Sequence, residues 1–276
     1  MRHNISLLIF LTVGISACQN KQTKKTTVVD TVKHIEVPKQ APDGSLDSLA
    51  AKMADSKGTY PDDTQPSAEE LFVGRLLTVL KKTESFKDNY ASLEKYDINV
   101  LTSDDKRLRI FYWLSPNSGT MWHVQNIIQY KTSQDTIATA SFDSLYEDRE
   151  YDSAPTPFFE SIYALKPAKN PSYLLLGNGQ LSGMEPYSLC RSLTWLGNRF
   201  SIDQKIFSVG KSPESELFTS ASLIDQENPD QIRTLMQPKY DVAKKTLTYG
   251  ESKDTKDGYI FTGKRKSLVY RDGLFQ

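Results

Sequence analysis

Arg107-Leu-Arg-Ile-Phe-Tyr-Trp-Leu114 and Met121-Trp-His-Val-Gln-Asn-Ile-Ile-Gln-Tyr130 flank Ser115-Pro-Asn-Ser-Gly-Thr120. The outer runs are rich in β-branched and aromatic residues, and the stretch between them consists of turn formers. Together they predict a hairpin. Each run carries apolar residues on both faces, so the hairpin is expected to be covered on both sides. Further strands are expected at Thr136–Ser141, Glu160–Leu165, Tyr173–Leu176, Ser188–Leu196, Lys205–Val209, Leu217–Ile224, Thr246–Tyr249, Gly258–Thr262 and Ser267–Tyr270. Turns are expected at Lys169-Asn-Pro171, Gly177-Asn-Gly179, Gly197-Asn198, Glu227-Asn-Pro229, Asp257-Gly258 and Asp272-Gly273, from residues that set φ or bond their own backbone. Many short strands at regular spacing indicate a mainly β body (α+β by content), an antiparallel sandwich or barrel-like sheet.

Upstream, Ser67-Ala-Glu-Glu70 has the form of a capping box. Leu71, Phe72, Leu76, Leu77 and Leu80 then share one helical face, which predicts an amphipathic helix at about 68–83. A second helix is expected through Phe86 to Leu93, packing Tyr90 and Leu93. The single globular domain is therefore placed at 67–276. A loose repeat runs through it. Asp104-Asp-Lys-Arg-Leu-Arg-Ile-Phe and Asp241-Val-Ala-Lys-Lys-Thr-Leu-Thr-Tyr each set an acidic turn and basic residues before a strand. Such units resemble propeller blades, so a small β-propeller is the alternative architecture.

The chain opens with Arg2 and His3, followed by an apolar run from Ile5 to Ile15. A bilayer-spanning helix needs about 20 apolar residues, so this run is too short to span. Its length fits the apolar region of a secretory signal. The run ends in Ile15-Ser16-Ala17-Cys18, which resembles the lipobox of bacterial lipoprotein precursors. That resemblance, confined to residues 1–18, implies a diacylglycerol on the Cys18 thiol, a cut just before it and a further acyl chain such as palmitate on the new amino group. Residues 1–17 are then a signal peptide, and the protein is held to a membrane of the cell envelope by its N-terminal lipid. Lipoproteins carried to the cell surface in some lineages resemble one another in an acidic cluster just after the cysteine. Gln19, Asn20, Lys21 and Gln22 lack one, which leans toward the outer membrane, facing the periplasm.

Residues 18–66 read as a flexible tether. Isolated valines, four prolines and many Thr, Ser and Lys residues give the composition of a linker. Lys21, Lys24, Lys25, Lys33 and Lys39 against Asp30 and Glu36 make its first part basic, and its second part is acidic. Leu46, Leu49, Ala50 and Met53 have helical spacing. A helix so short is marginal alone, so a transient turn is expected in preference to a docked segment.

The chain has no net charge, and the body carries about −1 by the same count. No basic face for nucleic acid is implied. With Cys18 acylated, Cys190 is left without an intramolecular disulfide partner. His123 is the one histidine of the body. A zinc site needs three or four ligands, so neither a metal nor a cofactor is expected. A Cys190–His123 nucleophile pair is conceivable, but Cys190 is read as a small buried apolar residue and His123 as a structural imidazole. No serine-hydrolase signature is present. Glu147-Asp-Arg-Glu-Tyr-Asp152 is the densest carboxylate cluster. A carboxylate pair there would suit glycan hydrolysis, though a solvated loop explains the run more simply. Aromatic residues crowd one half of the body, mostly as core. Trp113, Trp122, His123, Tyr151 and Trp195 are the candidate binding residues. The functional reading is an envelope lipoprotein leaning away from catalysis, a binding or accessory module for a protein, peptide or glycan. A glycan hydrolase and a purely structural lipoprotein are the alternatives.

Overall fold

The computed structural model describes residues 44–58, 65–116, 118, 123–145, 156–165, 170–210, 212–224, 226–255 and 258–276. The architecture is mainly β, with a helical layer on one side. Helix α1 (Leu46–Asp55) and helix α2 (Ala68–Leu80) lead into two 3₁₀ turns at Thr83–Lys87 and Ala91–Tyr96. Four antiparallel strands follow: β1 (Asn99–Thr102), β2 (Leu108–Leu114), β3 (Val124–Lys131) and β4 (Ile137–Ser141), adjacent in that order. The larger sheet holds β5 (Phe158–Leu165), β6 (Ser172–Ser182), β7 (Glu185–Trp195), β8 (Phe200–Ser201), β9 (Glu216–Ser220), β10 (Lys239–Asp241), β11 (Thr246–Thr255), β12 (Gly258–Arg271) and β13 (Leu274–Phe275), with α3 (Pro229–Met236) between β9 and β10. Its main path runs β10-β11-β12-β9-β7-β6-β5. Among the described residues no helix is long and apolar enough to cross a membrane.

The β2–β3 hairpin is covered on both faces, as its pattern predicts. Phe111, Trp113 and Ile127 face the helices and pack with Phe72, Leu76 and Leu80. Leu108, Ile110, Ile128 and Tyr130 face the larger sheet and meet Phe159, Tyr173, Leu175 and Leu193. That contact makes a sandwich. A third core lies on the far face of the larger sheet, where Leu174, Leu176 and Cys190 of β6–β7 meet Leu247, Tyr249 and Leu268 of β11–β12. Residues on strands separated by β9 share this core, so the sheet curls over itself like a half-barrel. The propeller alternative does not hold, because the strands build two continuous sheets rather than blades.

Polar side chains tie the layers together. Arg109 donates from Nη1 to the carbonyls of Ser85 and Asp88 and from Nη2 to that of Phe86. Gln129 Nε2 donates to Leu80 O and Ser85 Oγ. Both ends of the 83–87 turn are thereby fastened to the smaller sheet. The Asp104-Asp105 turn bridges the two sheets: Ala164 N of β5 donates to Asp104 Oδ1 at 2.9 Å, and Tyr173 Oη donates to Asp105 Oδ2 at 3.0 Å. The two turns of the apparent repeat do share a device, a lysine in the left-handed region (Lys106, φ 55°, and Lys245, φ 52°). The strands they introduce belong to different sheets.

Several local expectations are corrected. Residues 46–55 are not a transient turn. Ser45 caps α1 from its side chain, and Leu49, Ala50 and Met53 are buried against the helical core. Tertiary packing supplies what a ten-residue helix lacks alone, so the folded part begins before residue 67. Capping of α2 by Ser67 and Glu70 is as expected, but Phe86–Leu93 is not one helix. Tyr90 at φ 55° separates two 3₁₀ turns. Gly177-Asn-Gly179 does not turn but continues β6; glycine is needed there for close approach. The turn lies instead at Gly183-Met184. Lys205–Val209 forms an isolated bridge at Phe207 in place of a strand. Glu227-Asn-Pro229 opens α3, with Pro229 in its first turn, a position where the missing N–H costs nothing. Gly258–Thr262 and Ser267–Tyr270 are one strand with an irregularity opposite Glu251.

Candidate functional site

The larger sheet splits at one end. Strands β9 and β12 run parallel and pair at Ile260↔Ser220. Beyond that point the two chains diverge. The arm after β9 stays with the β6–β7 hairpin, Ala221 N donating to Pro186 O and Leu223 N to Met184 O. The other arm, Phe261-Thr262-Gly263, bulges away, with Gly263 at φ 83°.

Helix α3 sits beside the fork. Its C-terminal carbonyls are held by Arg265, which donates from Nη1 to Thr234 O and from Nη2 to Gln237 O and Thr248 O. A cation at a helix C-terminus also favours the backbone dipole. Ser188 Oγ donates to Met236 O at 3.0 Å. Gly250 lets α3 approach closely, since a Cβ there would stand 3.1 Å from Met236 Cα and 3.1 Å from the Phe261 ring. The opposite side of the helix, Asn228, Gln231, Ile232 and Leu235, spaced as one face, lines the groove.

The groove encloses about 680 Å³ between this face, the Ala221–Ser222 arm and Ile260–Gly263. That falls in the usual range for a ligand site. Ile260 (40 % exposed) lines the groove, and Met184 (48 %) and Ile224 (61 %) lie beside it, on the β6–β7 turn and the arm after β9 that bonds to that turn. Among the described residues these are half of the large apolar side chains so exposed. An apolar cluster with polar neighbours such as Gln226, Glu227 and Thr262 is the composition of an interaction surface. Glu251, behind the bulge, takes hydrogen bonds from Lys266 and Thr262, which hold its carboxyl below the usual carboxylate range.

The residues singled out in the sequence do not converge here. Trp113 is buried in the helix-facing core, with Nε1 donating to Glu69 at 2.8 Å, so it is not an exposed binding ring. Trp195 packs on Phe200 and Tyr130 as part of the central core. His123 is exposed at the entrance to β3, with Nε2 3.0 Å from Gln125 Nε2 and 4.0 Å from Asp143 Oδ2. Asp143 Oδ1 also accepts from Thr156 Oγ1 at 2.6 Å. Cys18, Trp122, Tyr151 and the Glu147–Asp152 cluster lie outside the described residues. Cys190 is buried in the third core, and burial pushes its thiol up. A buried neutral thiol in the larger sheet and an exposed imidazole in the smaller one do not form a nucleophile pair. Among the described residues no three His, Cys, Asp or Glu side chains are placed to hold a metal ion.

The groove had a partial signal in the sequence. Asn228-Pro229 is a helix start, and Ile232, Leu235 and Met236 have helical spacing. The exposure of Met184, Ile224 and Ile260 carries no such mark, because it depends on how the strands part. No family model, curated protein or solved structure matches the chain.

Proposed function

We propose that the protein is a lipid-anchored lipoprotein of the bacterial cell envelope, attached through Cys18 to the outer membrane on its periplasmic side. Its β-rich body is a binding module that takes an extended segment of a partner protein in the groove between α3 and β12. The observation that carries this reading is an open groove at a fork in the sheet, with exposed Ile260 in its wall and exposed Met184 and Ile224 on the adjoining turn and arm. An extended chain laid there finds apolar contacts from Ile232, Leu235 and Phe261. It also finds the β12 backbone of Ile260–Gly263 along one wall, where main-chain pairing can add to side-chain recognition.

The test is a peptide array covering envelope proteins, probed with the purified body and with Ile224→Asp and Ile232→Asp variants. The reading expects a common set of bound peptides whose affinity falls at least about tenfold in the variants, with melting temperature held. Binding that is unchanged by both substitutions removes the groove from the reading. Absence of lipid at Cys18, read by metabolic labelling, removes the anchor.

A further inference from the structure

The first described element after Cys18 in sequence is a docked helix where the sequence leads one to expect tether. Helix α1 buries Leu49, Ala50 and Met53 in the helical core. Its main contacts are with α2 and the 91–96 turn. Its polar ties are exposed: Asp47–Lys95 at 3.5 Å, Ser92 Oγ to Asp47 Oδ2 at 3.3 Å, and Lys57–Asp97 at 3.6 Å just beyond its end. Exposed pairs of this kind contribute little. One apolar stripe therefore holds α1, and residues 56–66 join it to α2. Released, ten residues have little helical stability of their own. The core between the sheets and the core on the far face of the larger sheet contain no α1 residue.

We propose that α1 is a releasable strap that sets how far the body stands from the membrane. The inference rests on the Cys18 anchor proposed above. With α1 docked, the chain between Cys18 and Gly44 spans at most about 90 Å at about 3.3–3.6 Å per residue. With α1 released, the chain from Cys18 to Ser67 spans at most about 170 Å on the same geometry. Release roughly doubles the accessible distance without unfolding the sandwich. It also uncovers apolar surface where α1 lies against α2 and the 91–96 turn. Local opening of this kind belongs to the low-stability end of a fold.

The test is hydrogen exchange on the full lipidated chain in vesicles. Amides of α1 are expected to show protection about 100-fold or more below those of β6 and β7. In Ala50→Glu, α1 should exchange at open-chain rates while β6 and β7 keep their protection. A dye on Lys244→Cys should then move away from an acceptor in the bilayer. Exchange of α1 only together with β6 and β7 overturns the strap. So does loss of β6–β7 protection in Ala50→Glu. Failure of the chain to float with vesicles overturns the anchor instead, and leaves the α1 exchange to be read on its own.

Discussion

Gly179 of β6 and Tyr187 of β7 stand directly opposite each other, and the Tyr187 ring occupies the space where a Cβ on Gly179 would lie, under 3.0 Å from it. Tyr187 in turn stacks on Phe218 of β9, with centroids 5.4 Å apart. The glycine is what lets the ring cross the strand. Gly179→Ala should therefore lower stability by about 1–3 kcal/mol, the usual cost of overpacking. Gly183, which has nothing within 4 Å of its would-be Cβ, should accept alanine with little change. Urea midpoints of the two variants check this.

Trp113 and Glu69 make a second test. Glu69 accepts from Trp113 Nε1 at 2.8 Å and from Ser115 Oγ at 2.7 Å. Glu69→Ala leaves the buried indole N–H without that partner and should cost about 1–3 kcal/mol. Fluorescence of Trp113 and thermal unfolding should report the loss, whereas Glu70→Ala should cost less because its bond to Ser67 N is exposed.

Arg191 is fully buried on the sandwich side of β7 and pairs with Glu216 of β9. Burial works against its charge and lowers its pKa to about 9, with Asp203 acting the other way. Removing the carboxylate by Glu216→Ala should cost about 3 kcal/mol, the lower end for a buried pair because Glu216 keeps some contact with solvent. The double change Arg191→Met with Glu216→Leu should recover much of that. A double-mutant cycle in urea separates the pair from its surroundings.

Alkaline pH offers a test with a definite sign. Burial raises the phenols of Tyr173, Tyr187 and Tyr249, the last to about 12. In the unfolded chain they ionise near pH 10. The folded state thus holds these protons more tightly. Their contribution to stability is complete below about pH 10 and is lost as pH rises through the folded values. Melting temperature should fall between pH 10 and 12, and Tyr249→Phe should flatten that fall.

Under the lipid anchor proposed above, Cys18→Ala should abolish palmitate incorporation and release the protein from the membrane fraction. Cys190, by contrast, should resist alkylation until the fold is opened, because burial suppresses its thiolate.

The β character and the two-sided burial of β2–β3 were legible because alternation and dense apolar runs have a direct physical cause in what each face touches. The capping box of α2 was legible for the same reason: its two hydrogen bonds are local. Contacts between distant segments were not. Gly177 and Gly179 look like turn residues until Phe158 and Tyr187 are set against them. The Leu46–Met53 stripe looks too short until α2 supplies its other half. Trp113 reads equally as a binding ring or as core, and Glu69, 44 residues away, decides between them. The groove depends on where β9 and β12 part, which no local pattern encodes.

The bond from Ala164 N to Asp104 Oδ1 falls on the outer edge of β5, the side away from β6. An open edge is a template on which another molecule's strand can grow. Asp104 occupies one of its donors and sets a carboxylate beside the rest. Under the membrane anchor proposed above, neighbours meet on a two-dimensional surface, where that side chain disfavours the pairing of one β5 edge with another.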